Sequence, residues 1–199
     1  MESVFLDRMM PRDDGHGIHG CEVAPDGNVW VAAYGQTLME SGDTLINGTD
    51  TTLVRPIWVL DGDGNHVSFS PIRFVTNADG SADTLDNSAR GLSLDQNGNL
   101  IYSYYNELLR FNYQTGELMN RYFPVYDEAG STSSLTEATV DDAGNIYVSW
   151  VAGAARPVVK ISPDMTSQST VYSAGVNYNR TTTVNPAGDM LFMGSTWGA

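Results

Sequence analysis

Three scarcities shape the first reading of this chain. Cys21 is its one cysteine, so no internal disulfide framework holds its 199 residues together. Lys160 is its one lysine, and 10 Lys plus Arg face 24 Asp plus Glu for a formal net charge of −14. Nucleic-acid binding rests on Lys and Arg neutralising phosphates, so nucleic acid is not an expected partner. No apolar run reaches the roughly 18 residues of a membrane helix, so membrane insertion is not expected either. The opening residues, MESVFLDRMMPRDDG, lack the charged-then-apolar layout of a secretory leader. An acidic, lysine-poor surface suits cation-rich or high-salt surroundings, where self-repulsion is screened, and equally a secreted protein carrying calcium. An extracellular or periplasmic setting is the resulting expectation; no cofactor is expected from the composition, Ca2+ being the candidate if one is held.

Glycine-centred turns are plentiful, and they repeat. GCEVAPDGNVWVAAYG (20–35), GLSLDQNGNLIYSYYN (91–106), EATVDDAGNIYVSWVA (137–152) and TTTVNPAGDMLFMGST (181–196) each run from a β-rich segment through an Asn/Asp/Gly turn into another. The turn glycines Gly27, Gly98, Gly144 and Gly188 are spaced by 71, 46 and 44 residues. A period near 45 with four short strands per unit predicts an all-β fold, a β-propeller of four-stranded antiparallel blades.

Each blade reads as strands A to D, with A innermost. The chain is expected to form one propeller domain over 1–199. Its blades fall at 18–75, 88–125, 134–174 and an incomplete 178–199, with 1–10 supplying strand D of a preceding blade. In the first blade strand A is expected at about 20–25, B at 28–34, C at 56–61 and D (HVSFSPIRF) at 66–74. Strand B runs are apolar on both faces, as in Val29-Trp30-Val31 and Ile146-Tyr147-Val148, which suits a sheet covered on each side by a neighbouring blade. About three and a half blades are counted where propellers use 4–8, so the chain reads as part of a longer ring or as one of two chains closing one. The open strand edges at 2–9 and 190–197 are candidate self-association surfaces.

Strand direction selects a working face. A–B and C–D turns are short and share one side, whereas the long B–C and D–A links (35–55, 75–89 and 125–135) share the other. Long loops on a rigid scaffold are where binding usually resides. Alignment on the turn glycines puts His19, Arg90, Thr136 and Arg180 at equivalent points where strand A begins, with Glu137 one step inward and His16 just upstream. Two arginines and two histidines at one mouth favour an anionic or carbonyl-bearing ligand. The competing reading pairs Arg90 and Arg180 with acidic link residues such as Asp83 or Asp86. A protein or carbohydrate partner at this face is the expectation.

Several smaller motifs have two readings. Asp61, Asp63 and Asn65 have the one-three-five oxygen spacing of a calcium loop, but His66 stands where such loops need Gly, and a hairpin turn explains the same residues. His16, His19 and Cys21 could make a zinc set, whereas alignment with Leu92, Ala138 and Thr182 makes Cys21 a small buried filler. Trp150 and Trp197 are candidate stacking surfaces, and Trp30 and Trp58 are expected to pack between blades. Asn47 and Asn179 fit the glycosylation pattern.

HGIHGCEVAPDGNVWVAAYG and EATVDDAGNIYVSWV, with VVKISPD after it, resemble the repeats of NHL-type and streptogramin-lyase-like propellers over most of residues 18–197. YQTGELMNRYF (113–123) is similar to pyrroloquinoline-quinone-type repeats. The lyase resemblance implies histidine acid–base chemistry with magnesium at the central mouth, for which His16 and His19 are the candidates. Gluconolactonase-like relatives imply a metal-binding Glu/Asn/Asp set that has no residue-by-residue match here. The reading of the residues themselves favours non-catalytic recognition. A lyase- or hydrolase-type enzyme and a structural blade array are the alternatives.

Overall fold

The hairpins close on a shared turn device. In residues 95–99, Asp95 Oδ1 accepts the N–H groups of Asn97 and Asn99, both at 2.9 Å, and the Asn99 amide returns a bond to Asp95 Oδ2 at 3.2 Å. Residues 141–145 repeat this, with Asn145 N–H 2.8 Å from Asp141 Oδ1. In 185–189 the chemistry is exchanged: Asn185 accepts from Asp189 N–H at 3.1 Å and donates to its carboxylate at 2.7 Å. The fourth position has φ of 81°, 83° and 74° at Gly98, Gly144 and Gly188, a left-handed backbone that glycine adopts without steric cost.

These turns join strands into blades in a computed structural model that describes residues 18–34, 45–47, 50–52, 55–151, 154–173 and 179–195. In the first blade β1 (Ile18–Val23) pairs with β2 (Val29–Ala33). The B–C link then inserts a hairpin, β3 (Leu45–Asn47) with β4 (Asp50–Thr52), before β5 (Ile57–Leu60) joins β2. A second inserted hairpin, β6 (Phe74–Thr76) with β7 (Ala82–Thr84), lies in the D–A link. The second blade is a four-stranded antiparallel sheet of β8 (Ala89–Leu94), β9 (Leu100–Tyr104), β10 (Glu107–Phe111) and β11 (Leu118–Tyr122). The third is equally complete, with β12 (Thr139–Val140), β13 (Ile146–Val148), β14 (Val158–Ile161) and β15 (Gln168–Tyr172). The fourth comprises β16 (Asn179–Val184) and β17 (Leu191–Ser195).

The strand D expected at 66–74 is not a continuous strand. Only isolated bridges form there, Leu60 with His66 and Ile57 with Ile72. Pro71 has no N–H to give a ladder. Beside it, Ser70 Oγ accepts the Val59 N–H at 2.8 Å, so a side chain takes over a backbone role. The expected strand at 2–9, His16, Trp197 and most of the 35–55 link lie outside the described residues.

Burial explains why strand B is apolar on both faces. From the second blade, Leu100, Tyr102 and Tyr104 pack with Trp30, Ile57 and Val59 of the first. Ile101, from the opposite face of β9, packs with Ile146, Val148 and Trp150 of the third. Tyr147 then turns the other way to meet Val158 and Val184. A sheet held between two others buries alternate residues on both sides, which the sequence shows as an unbroken apolar run.

Two expectations fail on the same principle of which face is covered. Cys21 is exposed, although the aligned Leu92, Ala138 and Thr182 are all buried. Among the described residues no blade packs on that side of β1, and Val23 is 53% exposed there. Asn179 is buried with its amide donating to Thr182 Oγ1 at 2.9 Å, so it is not an accessible glycan acceptor.

Candidate functional site

The inner strands carry a shared irregularity. The ladder shifts by one residue between Ile18 and Gly20, between Ala89 and Gly91, and between Asn179 and Thr181. The extra residues are His19, Arg90 and Arg180. In the third blade Leu135 opposes Trp150 and Thr139 opposes Tyr147, so four steps on one strand match three on the other. Thr136 sits in that interval, its N–H 2.9 Å from Ser149 O. A β-bulge bends the strand and re-aims the side chain it carries. The four residues aligned by sequence therefore occupy one structural position on four blades.

The bulges bring charge together at the start of the inner strands. Burial holds the His19 imidazole below its usual value, the neighbouring Arg90 adds to this, and Arg180 contributes less. The His19 and Tyr34 rings lie 4.5 Å apart at 38°. Arg90 Cζ is 4.8 Å from the Tyr34 centroid and 5.7 Å from that of Tyr105. Two tyrosines from two blades thus lie within cation–π range of one guanidinium.

Tyr34 and Tyr105 were not singled out from the sequence. Both stand seven residues after a turn glycine, at the end of a strand B, and that shared offset was the available signal. Tyr105 has φ of 50°, rare for a bulky residue. It is over-determined by its backbone: its N–H donates to Ser88 O at 3.0 Å and its carbonyl accepts from Leu135 N–H at 2.6 Å. Non-glycine residues held in this region cluster at functional sites.

Glu137 packs on Gly91 so closely that a Cβ added there would lie 2.4 Å from Glu137 Cγ. Desolvation first, and Glu22 second, raise its carboxyl above the ordinary value, with the Leu92 backbone opposing. His19 is thus within electrostatic reach of both Arg90 and Arg180, while Glu137 is linked to the group through the second blade's Gly91.

The acidic link residues are engaged elsewhere. Asp83 pairs with Arg121 at 2.8 Å, and Asp86 accepts from the Tyr104 hydroxyl at 3.0 Å. Arg90 makes no hydrogen bond or ion pair among the described residues, and its Nε is buried without a hydrogen-bond partner there. Trp150 is not a stacking surface. It is fully buried, edge-on to Tyr126 at 5.3 Å.

Asp61 behaves as its counterparts in the A–B turns do. Its Oδ1 accepts from Asp63 N–H at 3.0 Å and Asn65 N–H at 2.8 Å, and these bonds, Asn65 first, lower its carboxyl. Among the described residues no three His, Cys, Asp or Glu side chains gather as a metal site. The described mouth residues do not fit a divalent cation well, because Arg90 and Arg180 offset the charge that Glu137 and Glu22 would offer it. A separate groove of about 880 Å³ runs along the outer flank between Phe74, Thr76, Met119 and Arg121, away from the mouth residues.

No family model matches the sequence, and no curated protein does either. Solved structures do. Streptogramin B lyase is 16% identical over 96% of this chain and 51% of its own, with a TM-score of 0.54. A gluconolactonase from Xanthomonas campestris is 17% identical over 88% and 52%, with a TM-score of 0.52. The nidogen/laminin complex gives 14% over 88% and 56%, with a TM-score of 0.54. The fold is a β-propeller. At these identities the likeness carries the fold and nothing further. The chain spans about half the length of these propellers. They include enzymes by name and a protein in complex with another, so the architecture is compatible with catalysis and with binding.

Proposed function

We propose that this chain is a recognition propeller whose long-loop face binds an anionic ligand at the channel mouth through His19, Arg90, Glu137 and Arg180. One observation carries the reading: Arg90 lies within cation–π range of Tyr34 and Tyr105 without an anionic partner among the described residues. In a chain with net charge −14, two arginines on equivalent bulges form a local cationic spot at which an incoming carboxylate gains charge-assisted hydrogen bonds. The natural partner is an extracellular or periplasmic protein or carbohydrate presenting such a group. The experiment is a binding titration of the chain and its Arg90→Ala variant with acetate as the minimal probe. Binding that survives the substitution removes the proposal.

A second reading is favoured by His19 itself. An imidazole held below its usual value is neutral at pH 7 and able to accept a proton, as a general base must. The gluconolactonase neighbour makes lactones the compounds to screen. Turnover abolished by His19→Ala, with the fold retained, would establish this reading over recognition alone.

A further inference from the structure

We infer that the ligand class of this mouth is a planar, monoanionic carboxylate, its carboxylate read by Arg90 and its flat body laid against Tyr34, with Tyr105 as the positioning residue for the guanidinium. This rests on the anion reading above and narrows it.

Two independent features select the class. The first is charge. Arg90 and Arg180 bring two positive charges, Glu137 brings a negative one, and Glu22 lies three residues further along β1. Two arginines against two carboxylates leave the mouth close to neutral while His19 is neutral, so a second negative charge on the ligand, as in a phosphate dianion, is disfavoured relative to one. Arginine's fork also meets a carboxylate with two parallel N–H···O bonds.

The second feature is shape. Tyr34 is 39% exposed as a residue, with His19 and Arg90 both lying against its ring. A partly exposed aromatic residue beside a cation suits a ligand whose charge and ring are coplanar. Tyr105, in the cation's own blade, supports it, and the left-handed backbone of Tyr105 is pinned on both sides by Ser88 and Leu135. Its backbone is therefore set by the junction of the second and third blades, before any ligand arrives.

The test is an NMR titration of the full chain at pH 7.5 with benzoate, cyclohexanecarboxylate, acetate and inorganic phosphate. Benzoate should bind at least about threefold more tightly than cyclohexanecarboxylate, and phosphate should bind most weakly. Tyr34→Leu should abolish the preference for benzoate and, because the same ring lies against Arg90, weaken acetate about two- to tenfold as well. Tyr105→Gly keeps a left-handed residue and removes the ring, and should weaken every carboxylate about two- to tenfold. Tyr105→Phe should restore the affinity, which a purely structural role for the hydroxyl would not allow. Equal binding of benzoate and cyclohexanecarboxylate, both lost in Arg90→Ala, overturns the planar class and leaves the anion reading standing. Phosphate binding tighter than benzoate overturns the monoanion assignment. Binding indifferent to Arg90 overturns this inference and the anion reading together.

Discussion

Arg121 donates from Nη2 to Asp83 at 2.8 Å, joining the outer strand of the second blade to the inserted β6–β7 hairpin. The same guanidinium donates to Glu107 through Nε and Nη2, and to Asn77 at 2.8 Å. Asp83 is thereby committed to a structural bridge on the blade flank. Arg90 is left at the mouth without it.

This bridge predicts a pH-dependent loss of stability. Burial raises the Glu107 carboxyl, and Arg121 opposes that rise. In Arg121→Ala a buried carboxylate loses its partner, at a cost of about 2–4 kcal/mol near neutrality. A carboxyl raised above its unfolded value contributes stability at low pH and loses it as pH rises through the folded value. The deficit should therefore be smallest near pH 4 and largest at pH 7.5 in urea denaturation. Adding Glu107→Gln to Arg121→Ala should recover much of it.

His19 titrates with the opposite consequence. Its folded value is lowered from 6.5. As pH falls through 6.5, the unfolded chain takes up a proton that the folded chain resists, and stability declines. His19→Gln should flatten the stability profile between pH 7 and pH 5. A bound carboxylate should shift the imidazole of the wild-type chain upward, an effect measurable on its ring protons.

Two glycines with different surroundings should respond differently to alanine. Gly91→Ala would press a Cβ to within 2.4 Å of Glu137 Cγ and 2.5 Å of its Cβ and should cost about 1–3 kcal/mol, relieved when Glu137→Gly, which removes both atoms, is added. Gly27 has φ of 87° but nothing within 4 Å of an added Cβ. Gly27→Ala should cost about 1 kcal/mol, from backbone conformation alone. Thermal or urea unfolding of the three variants checks the order.

The exposed apolar residues of the fourth blade predict self-association. Met190 and Phe192 are 55% and 53% exposed beside an edge strand, β17, that pairs with β16 alone among the described residues. Exposed apolar edges template pairing with other chains. Light scattering should show mass rising with concentration, and Phe192→Lys should suppress the rise.

Blades two and three were legible because every local signal agreed: turn glycines at fixed offset, apolar strand B runs and short loops. The first blade was not, because HVSFSPIRF has strand composition while Pro71 and the Ser70 hydroxyl interrupt its ladder. Cys21 was misjudged because alignment gives a strand position and not whether a neighbour covers it. At the mouth, alignment found His19, Arg90 and Arg180, whose bulges no composition rule announces. The tyrosines escaped because strand ends rich in Tyr look like ordinary packing, and Tyr34 meets Arg90 only across a blade boundary.

The most direct measurement is a map of backbone amide shifts in the full chain as benzoate is added. The account predicts shifts centred on Tyr34, Arg90, Tyr105 and Arg180, all absent in Arg90→Ala. Shifts centred instead on the flank groove, at Phe74, Thr76 and Met119, or shifts that persist without Arg90, would contradict it.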